Sequence, residues 1–210
     1  MSKKNKRIKR KYRLQKIILA AVMFVSAAAG IFMINAPAMA RQPYVENKYE
    51  LLESLTWFLA GRDGEGEAPP LSEMERELSL TGIGVLTIGR IDLRLPLIEG
   101  VRYETLNVAP GWVPETATIG QMGNAVIAGH RNYTFGEMFN RLGELVIGDI
   151  IGIQTIDGYK EFEVFEKAVI EPTDQIAFVQ PVNDSIITLF TCTPIEISSH
   201  RLIIRAMRTL

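Results

Sequence analysis

From Thr81 to Leu210 the chain is cut into short, β-branched apolar stretches by glycine, proline, asparagine and aspartate, and this punctuation limits its fold more than any other feature. The stretches are Gly84 to Ile88, Leu93 to Ile98, Ala125 to Ala128, Asp149 to Thr155, Tyr159 to Ile170, Ser185 to Thr191 and Arg201 to Met207. Their length and their Val, Ile and Thr content favour strands over helices. Asp157-Gly158 and Pro181-Val182-Asn183-Asp184 supply turns between them. Roughly seven strands in about 130 residues, with one helical insert near Phe135 to Leu142, would leave costly unpaired edges in an open sheet. A small closed or nearly closed β-barrel is the expected solution, and one domain of that length buries a real core.

The N-terminus follows a different logic. Nine of the 23 Lys and Arg residues fall in the first sixteen positions, and Ile17 to Ile34 then carries no charge. At about 1.5 Å per residue the run reaches roughly 27 Å, enough for one short or tilted membrane span, with the basic flank held in the cytoplasm. Ala38-x-Ala40 has the spacing of a signal-peptidase site, but the apolar run exceeds an ordinary signal core, so the expectation is a retained anchor. The organisation expected is a basic cytoplasmic tail (1–16), a transmembrane signal-anchor (17–36), an extracellular helical and linker segment (37–80) and the β-barrel domain (81–210). Within the linker, Tyr44 to Ala60 has helical apolar spacing, Gly61 to Pro70 is rich in Gly, Pro and acid, and Ser72-x-x-Glu75 is a capping box. Beyond the tail, fourteen basic residues face 24 acidic ones, which argues against nucleic-acid binding.

Few side chains in this chain can do covalent chemistry. Cys192, the only cysteine, ends the apolar stretch Ile186 to Thr191, and an exported chain with one unpaired thiol needs a reason to keep it. His130 and His200 are the only histidines. His130 follows the strand-like Asn124-Ala125-Val126-Ile127-Ala128-Gly129, at a strand mouth where sites form. Thr193 to Ser199 is short enough to turn the chain back antiparallel, which would bring Arg201 beside Cys192 and point His200 the other way. A thiolate nucleophile needs an imidazole to share its proton, and a tetrahedral intermediate needs donors for its oxyanion; His130 and Arg201 fit those needs. Taken singly, each has an ordinary structural reading: a buried small hydrophobe, a satisfied histidine, a charged strand edge. The three together in one small barrel favour chemistry.

Other chemistries lack their residues. No Gly-x-Ser-x-Gly elbow is present, one Cys and two His do not make an ordinary zinc site, and no glycine-rich phosphate loop with a following Lys and Ser/Thr occurs. No cofactor or metal is expected.

Three segments then carry a family resemblance. Thr188-Leu189-Phe190-Thr191-Cys192 resembles the sortase signature Thr-Leu-x-Thr-Cys, Ala128-Gly129-His130-Arg131 the segment around the sortase histidine, and Ser199 to Arg205 the arginine strand, in sortase order. The similarity covers about Gly82 to Arg208. It implies a closed sortase-type barrel of about eight strands with short helices, behind an N-terminal transmembrane helix. It also implies a membrane-anchored cysteine transpeptidase of Gram-positive bacteria that cuts a Leu-Pro-x-Thr-Gly-like sorting signal between Thr and Gly and passes the acyl group to an amine. By carry-over Cys192 is the nucleophile, His130 the general acid/base and Arg201 the oxyanion and substrate stabiliser. Thr191 and Arg205 are carried over as substrate-binding residues, Arg205 also as the fallback cation. The partners implied are surface proteins or pilins bearing a C-terminal sorting signal, and an acceptor amine.

The run Thr191-Cys192-Thr193-Pro194 followed by Ser199-His200-Arg201 most resembles the pilin-polymerising class C, whose acceptor is a pilin lysine. The stretch before the barrel has no Asp-Pro-aromatic lid motif, so transfer to a cell-wall peptide amine stays open. Glu171 to Pro181 corresponds to the family's substrate-contacting loop. Two other readings compete: an extracellular cysteine endopeptidase, and a non-catalytic anchored barrel that binds envelope proteins.

Overall fold

The computed structural model describes residues 82–131, 136–181 and 183–209, helical residues 51–56, and the single positions Met23, Ser26, Tyr49 and Leu59. The expected membrane span and the capping-box helix after Leu71 lie outside the described residues, apart from Met23 and Ser26, which are helical. Among the described residues no helix is long and apolar enough to cross a membrane. Contacts divide the chain into Met1–Val45 and Glu46–Leu210, and the second unit holds the barrel.

All seven expected strands are present, and an eighth joins them. They are β1 (Gly82–Ile88), β2 (Leu93–Glu99), β3 (Gly111–Trp112), β4 (Gly123–Ala128), β5 (Ile150–Thr155), β6 (Gly158–Ile170), β7 (Ser185–Thr193) and β8 (His200–Arg208). The sheet closes in the order β1-β2-β3-β4-β7-β8-β6-β5, with β1 antiparallel to β5. The added strand, β3, is only two residues long, below what periodicity can reveal. It runs parallel to β2 and antiparallel to β4, so without it those strands would not join. Gly111 is required there, because a Cβ would collide with the carbonyl oxygen of Gly100.

Side chains alternate between the barrel interior and its outer face. Leu86, Ile88, Leu95, Leu97, Ile127, Ile153, Phe162, Ile187, Leu189 and Ile204 are essentially inaccessible. On the outside, the helix at residues 51–56 (α1) sets Leu51, Leu52 and Leu55 against Val85, Ile98 and Ala109. This is the apolar face of the helix expected over Tyr44 to Ala60, and each buried leucine contributes on the order of 2 kcal/mol as an upper estimate. A second short helix, α2 (Tyr103–Leu106), lies between β2 and β3.

The helix expected near Phe135 to Leu142 does not form. Residues 136–141 are turns leading into a 3-10 turn at Leu142–Glu144, Phe135 being outside the described residues. The backbone explains it: Gly136 has φ +79° and Met138 φ +46°, left-handed values that an α-helix excludes. The segment's apolar residues still reach the core, with Met138, Phe139, Leu142 and Leu145 all buried.

Candidate active site

The site grows from two parallel strand ends and one antiparallel return. β4 and β7 run parallel with Asn124 opposite Ile186, Val126 opposite Thr188 and Ala128 opposite Phe190. Carrying that register two residues on places His130 level with Cys192. β7 and β8 are antiparallel, and Cys192 is paired directly with Arg201. Because paired residues share a face, Cys192 and Arg201 stand side by side on the barrel's outer side, with His130 two residues past the end of β4 at the level that the extended register gives. All three are partly exposed, as groups that meet a substrate must be.

Local sequence fixes each position. Gly129 lets β4 pass under Phe139, since a Cβ there would lie 2.7 Å from the ring. The Phe139 N–H then donates to His130 O at 3.1 Å, tying the histidine's backbone to the 136–145 segment. The imidazole meets Tyr103 of α2 edge-on, ring centroids 6.5 Å apart at 73°. The hairpin between Cys192 and Arg201 is closed by Ser198 N–H donating to Pro194 O at 2.8 Å, with Ser198 at φ +55°. Arg201 Nη1 donates to Ser198 O and His200 O, both 3.0 Å, which steadies the guanidinium against its own turn.

Beside this pair the same outer face is apolar. Ala168, Ile170, Phe190 and Ile203 pack with Ala177 and Phe178 of the 3-10 turn Ile176–Phe178, and the rings of Phe178 and Phe190 sit 6.1 Å apart. That turn belongs to the Glu171 to Pro181 segment. Asn124, wholly buried, holds the segment down: its Nδ2 donates to Ala177 O and Val179 O, while its Oδ1 accepts from Thr188 Oγ1. Gln180 completes the clamp by pairing with the Asn124 backbone in both directions, at 2.8 and 3.0 Å.

The remaining residues singled out from the sequence lie elsewhere. Thr191 falls on the opposite face from Cys192, 1 % exposed, and its Oγ1 donates to Gly129 O at 2.7 Å. Arg205 pairs with Thr188 rather than Cys192 and holds Glu166 at 2.7 Å, its guanidinium 5.2 Å from the Phe165 ring. His200 pairs with Thr193 and turns toward Glu171, Nε2 to Oε1 3.2 Å, with Ser199 Oγ against Nδ1. Three contributors escaped the sequence reading: Asn124, Tyr103 and Arg131. Only Asn124 carried a signal, as a polar residue inside an apolar strand that must find buried partners. Among the described residues no three His, Cys, Asp or Glu side chains gather as metal ligands do.

Known proteins resemble this chain in sequence and in fold. Sortase SrtE1 of Streptomyces coelicolor is 30 % identical over 139 residues, 59 % of this chain and 39 % of the relative. Sortase D of Bacillus subtilis is 29 % identical over 112 residues, 53 % of this chain and 54 % of its own length. The chain thus spans between two fifths and just over half of the curated relatives it matches. Among solved structures, a Clostridium perfringens sortase D5 transpeptidase superposes with TM-score 0.63 at 27 % identity, covering 79 % of this chain and 99 % of that one. Sortase C of Streptococcus pneumoniae gives TM-score 0.60 at 28 % identity over 78 % and 90 %. The sortase domain family itself matches residues 86–209, more than half of the sequence, and the chain belongs to that family.

Proposed function

We propose that this chain is a sortase-type cysteine transpeptidase with Cys192 as nucleophile, His130 as general acid/base and Arg201 as the cation that steadies the oxyanion. The observation that supports the reading is the direct pairing of Cys192 with Arg201 across β7 and β8, with His130 just past the end of the neighbouring β4 and an apolar patch beside them. Cys192 thiolate attacks the carbonyl carbon of the scissile peptide bond, and the developing oxyanion meets the Arg201 guanidinium. His130, carrying the thiol's proton, hands it to the leaving amine as the C–N bond breaks, which leaves a thioester on Cys192. An incoming amine gives its proton back to His130, attacks the thioester and expels the thiolate, so the net change is amide exchange.

The donor is a surface protein or pilin with a C-terminal Leu-Pro-x-Thr-Gly-like signal, whose extended backbone would lie along the apolar face bordered by Glu171 to Pro181. The acceptor is an amine. Relatives of known structure include sortase C1 of GBS pilus island 1 and a sortase C analysed for pilin substrate specificity, which supports a pilin lysine. A cell-wall peptide amine is the alternative. The basic tail and the 17–36 run support a single-pass membrane anchor with the barrel outside.

The decisive experiment incubates the full-length chain in detergent with Leu-Pro-x-Thr-Gly peptides, with and without an added primary amine, and follows products by mass spectrometry. A Cys192-linked acyl-enzyme that added amine diverts into amide is the expected result. Acid as the sole product would make the chain an endopeptidase, and no acyl-enzyme with any signal would remove the catalytic reading.

A further inference from the structure

The ladder between β4 and β7 stops just short of the level of Cys192. Among the described residues the last backbone bond between β4 and β7 runs from Gly129 N–H to Phe190 O, at 3.1 Å. Beyond it the strand ends are joined by two side-chain bonds. Thr191 Oγ1 donates to Gly129 O at 2.7 Å, and Arg131 Nη1 donates to Thr193 Oγ1 at 2.7 Å. These bonds bracket that level: Gly129 and Arg131 flank His130, while Thr191 and Thr193 flank Cys192. By alternation all four lie on the back of the strands, away from the reacting face.

Arg131 also reaches sideways. Its Nε approaches Asn140 O at 3.4 Å, and Gly143 leaves room for the guanidinium, since a Cβ there would stand 3.3 Å from Nη2. Lys167 Nζ holds the same segment by its Gly143 and Leu145 carbonyls. The fork of Arg131 therefore joins three pieces: the end of β4, the end of β7 and the 140–143 turn. A lysine carries all its donors on a single nitrogen and has no such fork.

We propose that Arg131 is a positioning residue, acting through Thr193 to hold the His130 imidazole within proton-transfer reach of Cys192. It touches neither substrate nor reacting atoms. The end of β7 is still paired with β8, but the chain past the end of β4 has left its ladder and such an end frays readily, and a shift of about 1 Å in a catalytic pair costs on the order of a hundredfold in rate. The Thr191 bond secures the near side of His130 and the Arg131 bond the far side. This inference rests on the reading of Cys192 and His130 as the reacting pair.

A double-mutant cycle in the full-length chain tests it: Thr193→Val, Arg131→Met and the pair together, with Thr193→Ser as the conservative variant that keeps the acceptor. Thr193→Val and Arg131→Met should each lower kcat about tenfold with KM within about twofold, and the double variant should lose no more than the worse single. Thr193→Ser should stay near the parent. Losses that multiply, or that fall in KM, would overturn the proposal; if Arg131→Met fails to fold, Thr193→Val against Thr193→Ser carries the comparison. Iodoacetamide alkylation of Cys192 at neutral pH needs no substrate and separates this idea from the one beneath it. The expected result is that His130→Ala and Thr193→Val both change the alkylation rate by about threefold or more. If His130→Ala matches the parent, the Cys–His pairing itself is wrong. If His130→Ala changes the rate and Thr193→Val does not, the pairing stands and the clamp is refuted.

Discussion

Arg201 stands opposite Cys192 with Nη1 donating to Ser198 O and His200 O, and a lysine in its place keeps the charge but loses the planar guanidinium whose other donors are left for an oxyanion. Arg201→Lys is expected to lower kcat/KM by about a hundredfold, with Arg205→Lys changing it far less because Arg205 is engaged with Glu166. Steady-state kinetics on a sorting-signal peptide would show the order, and equal losses would mean that Arg205 shares the role. Gly129 sets a second test at this scale. A Cβ there meets the Phe139 ring at 2.7 Å, so Gly129→Ala should destabilise the fold by about 1–3 kcal/mol and displace His130. Urea denaturation alongside activity should show both effects together; a fully active, fully stable variant would show that Phe139 yields. Cys192, His130 and Arg201 stood out in the sequence as candidates because each sits where an apolar run meets a turn. Arg131 and Tyr103 were not, because their partners Thr193 and His130 are 62 and 27 positions away.

Among the elements, α1 shows how a helix outside the barrel becomes part of its core. Leu55, 2 % exposed, lies against Gly82 at the start of β1, so Leu55→Ala should cost about 2–4 kcal/mol even though no strand is touched. Chemical denaturation measures it, and a change well below 1 kcal/mol would mean that α1 contributes little to barrel stability. Strand existence was readable from β-branched runs bounded by turn residues, and the observed boundaries differ from expectation by a few residues at most. Two elements resisted reading. β3 is defined by its neighbours rather than by its own two residues. The 136–145 segment has apolar spacing that suits a helix, yet left-handed Gly136 and Met138 turn it into loops that deliver the same side chains to the core.

At the scale of the whole molecule, closure of the barrel turns surface charges into staples between distant segments. Arg141 joins the 3-10 turn Gly89–Ile91 to the turn at Leu142–Glu144, donating from Nη1 to Ile91 O at 2.9 Å and pairing with Glu144 at 2.7 Å. The hydrogen bond from Arg141 holds the Glu144 carboxyl below its ordinary value near 4.5. A carboxylate depressed in this way stabilises the fold above its ordinary value and loses that contribution as pH falls through the lowered one. Glu144→Gln should therefore melt slightly below the parent at neutral pH, with the gap closing as pH drops below 4.5. Thermal melts across pH would test this, and a gap that persists in acid would assign the effect to something other than charge. The sequence by itself determined seven of the eight strands, the turns and the order of the histidine, cysteine and arginine motifs, since these depend on local backbone preference and residue type. Tertiary structure alone decided the register that pairs Cys192 with Arg201, the two-residue strand that closes the sheet, and the bonds that Asn124 and Arg131 make to distant segments. Register and closure arise from pairings between residues tens of positions apart, and no local pattern encodes which of those pairings wins.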